Sequence, residues 1–467
     1  MVDNYLFVGL PSIAPQPFES GGRPCAAEIA RFWKMNDRFA TMCGARSVVN
    51  RPLNKLGAEM RNTLFAATAA LTLLAPQIAP AQTMKDDSFR SEDEGEWYHS
   101  VEFDMWEGVG GNRQVLETII EKIESTEGAR RYADAPDTLI AYGPGNWTYE
   151  FSKAGDAAIA AAQTTDDLTI KQEAYNEAIV YYHLASSPHT PAPEHVAALT
   201  KAHDAYAASA QMLPGRFSRP QIPFEGKSFG AFLHIPEGNG PFPVVVVSQG
   251  SDVSKVVALP YYREHLAARG IAMLSIDVPG MGESSAYTVR DGRTDKLHAA
   301  AVDWVRAQDF TDDKNVFVQG VSFGGTSAAR IFLARPELDL AGVIFMCGPI
   351  NAPFLAGPDA LQHLPPLTLD GVKSRMGMPL DTELAEFAKA IEVLALGKQG
   401  LFEGEKISTP LLAINTTADP VSPLFDMEKM LARAENGDKV LIDILGHCPP
   451  RSQRQPIIAN WIDGKLR

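Results

Sequence analysis

The sequence predicts a chain of the α/β class, built on a mostly parallel, doubly wound sheet and preceded by a helical segment. Three observations carry this. From residue 242 onward, short runs rich in Val, Ile and Leu alternate with amphipathic helical stretches, the pattern of a parallel sheet covered on both faces. From 86 to 213 the texture is instead helical and polar-rich. The stretch "LPGRFSRPQIPFEG", with its prolines and glycines, separates the two.

At 467 residues the chain has room for about two or three domains of ~150 residues each. Its 45% hydrophobic and 21% charged residues are those of an ordinary globular protein. The formal net charge of −15 argues against a nucleic-acid or anionic-membrane partner, because no basic cluster offsets phosphate repulsion.

The N-terminal elements come first. In "MRNTLFAATAALTLLAPQIAPAQ", Arg61 precedes an apolar run from Leu64 to Ala75, and Ala79-Pro80-Ala81 supplies the small-x-small pattern of a cleavage site. Residues 60–81 are therefore expected to be a signal peptide, with translation starting at Met60 and residues 1–59 an over-extended N-terminus. The run is too short to span a bilayer, which takes ~20 residues, and no cysteine at the cleavage site offers a lipid anchor. A periplasmic or secreted protein with no stable membrane anchor follows. In that oxidising setting Cys347 and Cys448 are permitted to pair. No cysteine or histidine cluster has metal-ligand spacing, so no metal and no cofactor is expected.

Residues 82–215 read as a helical cap or accessory domain. Leu168 to Ser187 places Ile170, Ala174, Ala178 and Tyr181/Tyr182 on one stripe. "SPHTPAP" then breaks the chain, and Pro193 opens a second helix through His195, Leu199, His203 and Tyr206, giving an antiparallel hairpin.

Residues 216–467 read as the catalytic domain. Strands are expected at 242–250, 271–280, 315–320, 341–349, 410–420 and 439–447, with helices at Pro260–Arg269, Lys296–Gln308, Thr326–Ala334 and Pro456–Leu466. In such sheets ligands bind beyond the carboxyl ends of the strands. The residues at those ends include Gly250-Ser251-Asp252, Gly320-Val321-Ser322, Asp419-Pro420 and Gly446-His447-Cys448. Serine, aspartate and histidine thus follow one another in the chain order of the α/β-hydrolase fold.

Within "VFVQGVSFGGTSAAR" the pattern Gly-x-Ser-x-Gly makes Ser322 the candidate nucleophile, on a sharp strand-to-helix turn that needs Gly320, Gly324 and Gly325 for close backbone approach. Serine is a poor nucleophile at neutral pH, so an imidazole must take its proton and a carboxylate must fix that imidazole's tautomer. Of ten histidines only His447 lies downstream of Asp419. Asp419 also suits a simple Asp-Pro turn; Asp426 and Asp438, expected on a helix and in a turn, lie farther from the strand end. An oxyanion hole takes two backbone N–H groups, for which Phe323 and Ser251 stand in the right places. Asp252 suits a helix cap as well as a catalytic part.

The stretches "IPFEGKSFGAFLHIP", "VVVVSQGSDVSK", "IAMLSIDVPGMGESS" and "GVSFGGTSAAR", with a helical segment ahead of the hydrolase core, resemble the FrsA-like branch of the α/β-hydrolases, which includes pseudooxynicotine-type carbon–carbon hydrolases. The similarity covers roughly Leu168 to Arg467. It implies a triad of Ser322, Asp419 and His447 and a cap that contributes to the substrate pocket. Related sequences often read Gly-Leu-Asp where this chain has Gly250-Ser251-Asp252.

The expected function is that of an exported serine hydrolase cleaving a carboxylic ester through an acyl-enzyme on Ser322. Two alternatives stay open: hydrolysis of a carbon–carbon bond next to a ketone, and a non-catalytic binding or regulatory protein on the same scaffold. The partner is a small-molecule ester or ketone, and homo-oligomerisation is left open. An insertion at about 350–405, opening with the proline-rich "NAPFLAGPDALQHLPPLTL", is expected to shape the pocket.

Overall fold

The computed structural model describes residues 97–466. The expected signal peptide at 60–81 and the segment 1–59 lie outside the described residues.

The described residues begin with five helices, α1 (Phe103–Gly108), α2 (Arg113–Ser125), α3 (Trp147–Thr164), α4 (Leu168–Ser186) and α5 (Pro193–Ala210). Their starts are set by side-chain caps that satisfy free N–H groups of the first turn. Asn112 accepts from Gln114 and Val115 at α2, Asn146 from Tyr149 at α3, and Asp167 from Thr169 and Ile170 at α4. Pro193 opens α5, where its missing N–H costs nothing. Helices α4 and α5 pack on each other as the expected hairpin.

The stripe on α4 differs from the sequence pattern. Ile170 is 53% exposed, whereas Ala174, Ala178, Tyr181 and Tyr182 are buried. From Ala178 to the end of the helix every residue is buried. This half of α4 is enclosed on all sides and not laid on a single surface, so a one-sided pattern was the wrong template for it. The cluster that contains Trp106, Phe151, Tyr181, Leu199 and Tyr206 continues into Phe232, Val256, Val257 and Leu259, so the helices share a core with the sheet.

The sheet is made of β1 (Arg216–Ser218), β2 (Gln221–Phe224), β3 (Lys227–Ile235), β4 (Phe242–Ser248), β5 (Ala272–Ile276), β6 (Thr311–Val321), β7 (Gly342–Met346), β8 (Leu411–Ala418) and β9 (Gly437–Leu445). Its order is β1-β3-β5-β4-β6-β7-β8-β9, with β2 paired to β3. From β5 to β9 all neighbours are parallel, while β1, β2 and β5 run antiparallel to β3. Val244 to Val247 on β4 are buried on both faces, and each such valine contributes about 1.5–3 kcal/mol relative to exposure.

Helices α6 (Lys296–Arg306), α7 (Phe323–Ala334), α8 (Pro366–Arg375), α9 (Leu384–Ile391), α10 (Leu424–Leu431) and α11 (Arg451–Asp463) are the longer helices of the remaining described chain, with a single helical turn at Pro358–Leu361 and several 3-10 turns between them. Two of them depart from expectation. Helix α7 starts at Phe323, directly behind Ser322, and not at Thr326: Gly324 and Gly325 lie in its first turn, while Gly320 still belongs to β6. Helix α11 starts at Arg451 and carries Pro456 inside it. The proline early in the helix removes one N–H donor without stopping it. The stretch expected as a helix at Pro260–Arg269 instead mixes α, π and 3-10 turns.

Burial holds several histidines neutral. It pushes His183 and His195 down to about 4 and His234 and His298 down to about 3. His234 Nε2 lies 2.8 Å from Tyr206 Oη, and His298 Nε2 lies 2.7 Å from Ser248 Oγ. These folded-state values lie below the unfolded ~6.5. As the pH falls from about 6.5 toward 4, the unfolded chain binds protons that the folded one refuses, so stability drops across that window. Thermal melts should therefore give a midpoint that is level above pH 7 and falls steeply below 6.5. A midpoint that stays level down to pH 4.5 contradicts this account.

Candidate active site

Strand β6 lies in the middle of the parallel sheet and delivers Ser322 at its carboxyl end. The serine has φ +52° and ψ −120°, a conformation that costs a non-glycine residue of order 1–3 kcal/mol. The surroundings hold it there. Its N–H donates to the Met346 carbonyl at 3.0 Å, and the Gly324 N–H donates to the Gln249 carbonyl at 2.9 Å. A Cβ at position 320 would lie 2.0 Å from the Gly324 carbonyl oxygen, one at 324 would lie 2.5 Å from the Gln249 oxygen, and one at 325 would lie 2.6 Å from the Met346 oxygen. Each of Gly320, Gly324 and Gly325 is thus required by backbone that passes against backbone.

The side chains of Ser322, His447 and Asp419 come together from the ends of β6, β9 and β8. Ser322 Oγ lies 2.8 Å from His447 Nε2. His447 Nδ1 lies 3.0 Å from both carboxylate oxygens of Asp419. Asp419 is buried and takes three backbone donors as well: Val421 and Ser422 at 2.8 Å to Oδ1 and Cys448 at 3.3 Å to Oδ2. The Asp-Pro turn and the contact to histidine are therefore one arrangement, because the oxygen that caps the turn also faces the imidazole. Of the rival carboxylates, Asp426 accepts from the Ala352 N–H at 2.6 Å and Asp438 from the Trp461 indole at 2.7 Å. Asp438 sits on β9, not in a turn.

Cys347 and Cys448 form a disulfide with Cα atoms 5.2 Å apart. It ties the end of β7 to the residue after His447, and Cys448 Sγ lies 3.5 Å from His447 Nε2. Ligand atoms of Cys347, His447 and Cys448 lie within 4.8 Å of one another, but the sulfurs are bonded to each other and so do not present a thiolate pair to a metal.

Ser251 follows β4 and is buried, with Gly250 facing Ser322: a Cβ there would lie 3.4 Å from Ser322 Cβ. Phe323 opens α7, and its ring packs with Val278, Met281, Phe354 and Phe387. Much of that cluster belongs to the 350–405 insertion, whose short helices share this apolar core with Phe323.

Arg375, at the end of α8, is the residue that sequence patterns missed. Its fully buried guanidinium donates from Nε to the Ser251 carbonyl at 3.0 Å and from the terminal nitrogens to the carbonyls of Pro188, His189 and Gly280. One side chain thus joins the loop after β4, the loop after β5 and the turn between α4 and α5. Burial lowers it to about 10, which leaves it charged at neutral pH. No periodicity announces such a group, since its partners are main-chain carbonyls remote in sequence.

A second buried cation, Lys255, pairs with Asp277 at 2.7 Å and Glu283 at 2.8 Å. Asp277 Oδ1 also accepts from the Lys255 N–H at 2.8 Å. The capping duty expected of Asp252 is therefore met by Asp277.

The chain as a whole is similar to known proteins. The family described as esterase FrsA-like matches residues 61–467. Esterase FrsA of Salmonella typhi is 30% identical over 378 residues, covering 79% of this chain and 89% of that one. Esterase FrsA of Photobacterium profundum is 29% identical over 352 residues, covering 74% and 83%. Among solved structures, 2,6-dihydroxy-pseudo-oxynicotine hydrolase aligns with a TM-score of 0.60 at 18% identity, covering 76% of this chain and 93% of that one. AbyA5 aligns with a TM-score of 0.59 at 18% identity, covering 78% and 98%. These two share the α/β-hydrolase fold.

The disulfide closes a sequence separation of 101 residues. Replacing both cysteines by serine should lower unfolding stability by about 2–4 kcal/mol, read as a shift in the denaturation midpoint. A double variant as stable as the parent would show that the bridge does not constrain the chain.

Proposed function

This chain belongs to the FrsA-like esterase family, and from that premise we propose that it is a serine hydrolase that cleaves a small carboxylic ester. One observation carries the reading: the unbroken chain of contacts from Ser322 Oγ to His447 Nε2 at 2.8 Å and from His447 Nδ1 to Asp419 at 3.0 Å. In this reading His447 takes the Ser322 proton as Oγ attacks the ester carbonyl, and Asp419 holds the Nδ1 tautomer and stabilises the imidazolium. The N–H groups of Phe323 and Ser251 receive the oxyanion. His447 returns the proton to the departing alcohol, then activates a water that releases the acid from Ser322. The segment 82–215 serves as the cap and 216–467 as the catalytic domain, with the 350–405 insertion walling the pocket. No residue in this scheme calls for a cofactor.

Carbon–carbon bond hydrolysis is the second reading, favoured by the fold that this chain shares with 2,6-dihydroxy-pseudo-oxynicotine hydrolase. The same serine, histidine and donors would act on a ketone, and the products differ: an alcohol plus an acid from an ester, a second carbon fragment plus an acid from a ketone.

Export completes the proposal. It is supported by the signal-like stretch at 60–81 and by a disulfide of the kind that persists in oxidising compartments. No helix among the described residues is long and apolar enough to cross a membrane.

A fluorophosphonate probe should label one peptide, the one containing Ser322. Ser322→Ala should abolish the label and His447→Ala should slow it by about 10²-fold or more. Unlabelled, folded protein removes the enzyme reading and brings forward a binding role on the hydrolase scaffold. Export is checked separately: N-terminal sequencing of protein recovered from the periplasm or medium should begin near Gln82, and recovery only from the cytosol with residues 60–81 still attached argues the other way.

A further inference from the structure

Asp252 is a carboxylate that neither the fold nor the proposed reaction scheme uses. The following 3-10 turn begins at Lys255 with Ser254 before it and no side-chain cap, and the Lys255 N–H goes to Asp277. Among the described residues the Asp252 carboxylate takes part in no side-chain hydrogen bond or ion pair, although His447 and Arg375 are near enough to act on it. Burial raises its carboxyl above the usual range, opposed by its own backbone N–H and by the nearby charges of His447 and Arg375. Arg375 itself is committed to four main-chain carbonyls.

The position of this group relative to the nucleophile is set by Gly250. The point where a Cβ would sit on Gly250 lies 3.4 Å from Asp252 Oδ1 and 3.6 Å from Ser322 Oγ, so the two oxygens flank one spot and stand no more than about 7 Å apart. Negative charge builds on the substrate carbonyl oxygen as Ser322 attacks. A second negative charge this close opposes that build-up. The opposition disappears when the substrate places a donor or a positive charge between the two.

We propose that Asp252 is a specificity-determining residue whose carboxylate accepts a hydrogen bond from a hydroxyl or ammonium group on the substrate, about two atoms from the reacting carbonyl. The preferred substrates are then small esters with such a donor at the β position. The inference rests on the serine-hydrolase reading of Ser322. It also gives Arg375 a second effect, since holding the Ser251 carbonyl fixes the loop from which Asp252 projects.

The test compares matched p-nitrophenyl esters, 3-hydroxybutyrate against butyrate and 3-aminopropionate against propionate. Each is run on the parent protein, Asp252→Asn and Asp252→Ala. The parent should favour the donor-bearing member of a pair by about tenfold or more in kcat/KM. Asp252→Ala should reduce both preferences to within about threefold. Asp252→Asn keeps an acceptor oxygen without the charge, so it should remove the ammonium preference and weaken the hydroxyl one. Should Asp252→Ala not fold, the near-isosteric Asn variant still reads the ammonium arm. Equal rates within both pairs in the parent, or preferences that survive both substitutions, overturn the inference. Parent protein that takes no fluorophosphonate at Ser322 removes the underlying reading instead, so the two failures are told apart.

Discussion

A strand that must become a helix within one residue, with main chain pressing on it from two neighbouring strands, is the constraint from which the rest of this site is built. Ser322 can hold φ +52° only because its N–H is taken by Met346 and the next turn is pinned to Gln249. Those acceptors belong to β7 and to the end of β4, the strands on either side of β6. The side chains removed at Gly320, Gly324 and Gly325 are what allow this approach. The serine therefore stands where the sheet's carboxyl ends converge, and everything that faces it arrives from adjacent strands.

The facing groups are held by a different means, which is charge placed where water is excluded. Asp419 keeps its position through three backbone donors in addition to the imidazole. Lys255 with Asp277 and Glu283 locks the loop after β4 to the loop after β5. Arg375 ties those same loops to the turn between α4 and α5. Buried ions of this kind add little net stability compared with apolar packing, but removing one partner is costly, so they hold loops in one arrangement. The preceding helices, the loop after β4 and the insertion are consequently coupled through Lys255 and Arg375.

This coupling gives the helical segment a role in the site's geometry. Its buried face runs from Trp106 and Phe151 through Tyr206 into Phe232 and Val257, a continuous apolar contact with the sheet side. The turn at Pro188 and His189 then reaches Arg375 directly. The same fold in 2,6-dihydroxy-pseudo-oxynicotine hydrolase and AbyA5 extends over more than three quarters of this chain.

How much of this was legible in the sequence follows from which interactions are local. The parallel sheet announced itself because doubly buried strands such as Val244 to Val247 can only be apolar. Ser322, Asp419 and His447 stood out because each lies just past a strand and the order of strand ends is written in the chain. The glycines around Ser322 are legible for the same reason, being demanded by a turn a few residues long. What the sequence left undecided depends on partners far away. The full enclosure of α4, the pairing of Cys347 with Cys448 and the Asp277 contact that replaces Asp252 as a cap all join segments tens of residues apart. Arg375 is the extreme case, since it binds carbonyl oxygens that every residue possesses. Local chemistry by itself determined the fold class and the residues at the strand ends; only the tertiary structure decided which loops those residues meet, because that is set by packing between elements that no spacing in the chain encodes.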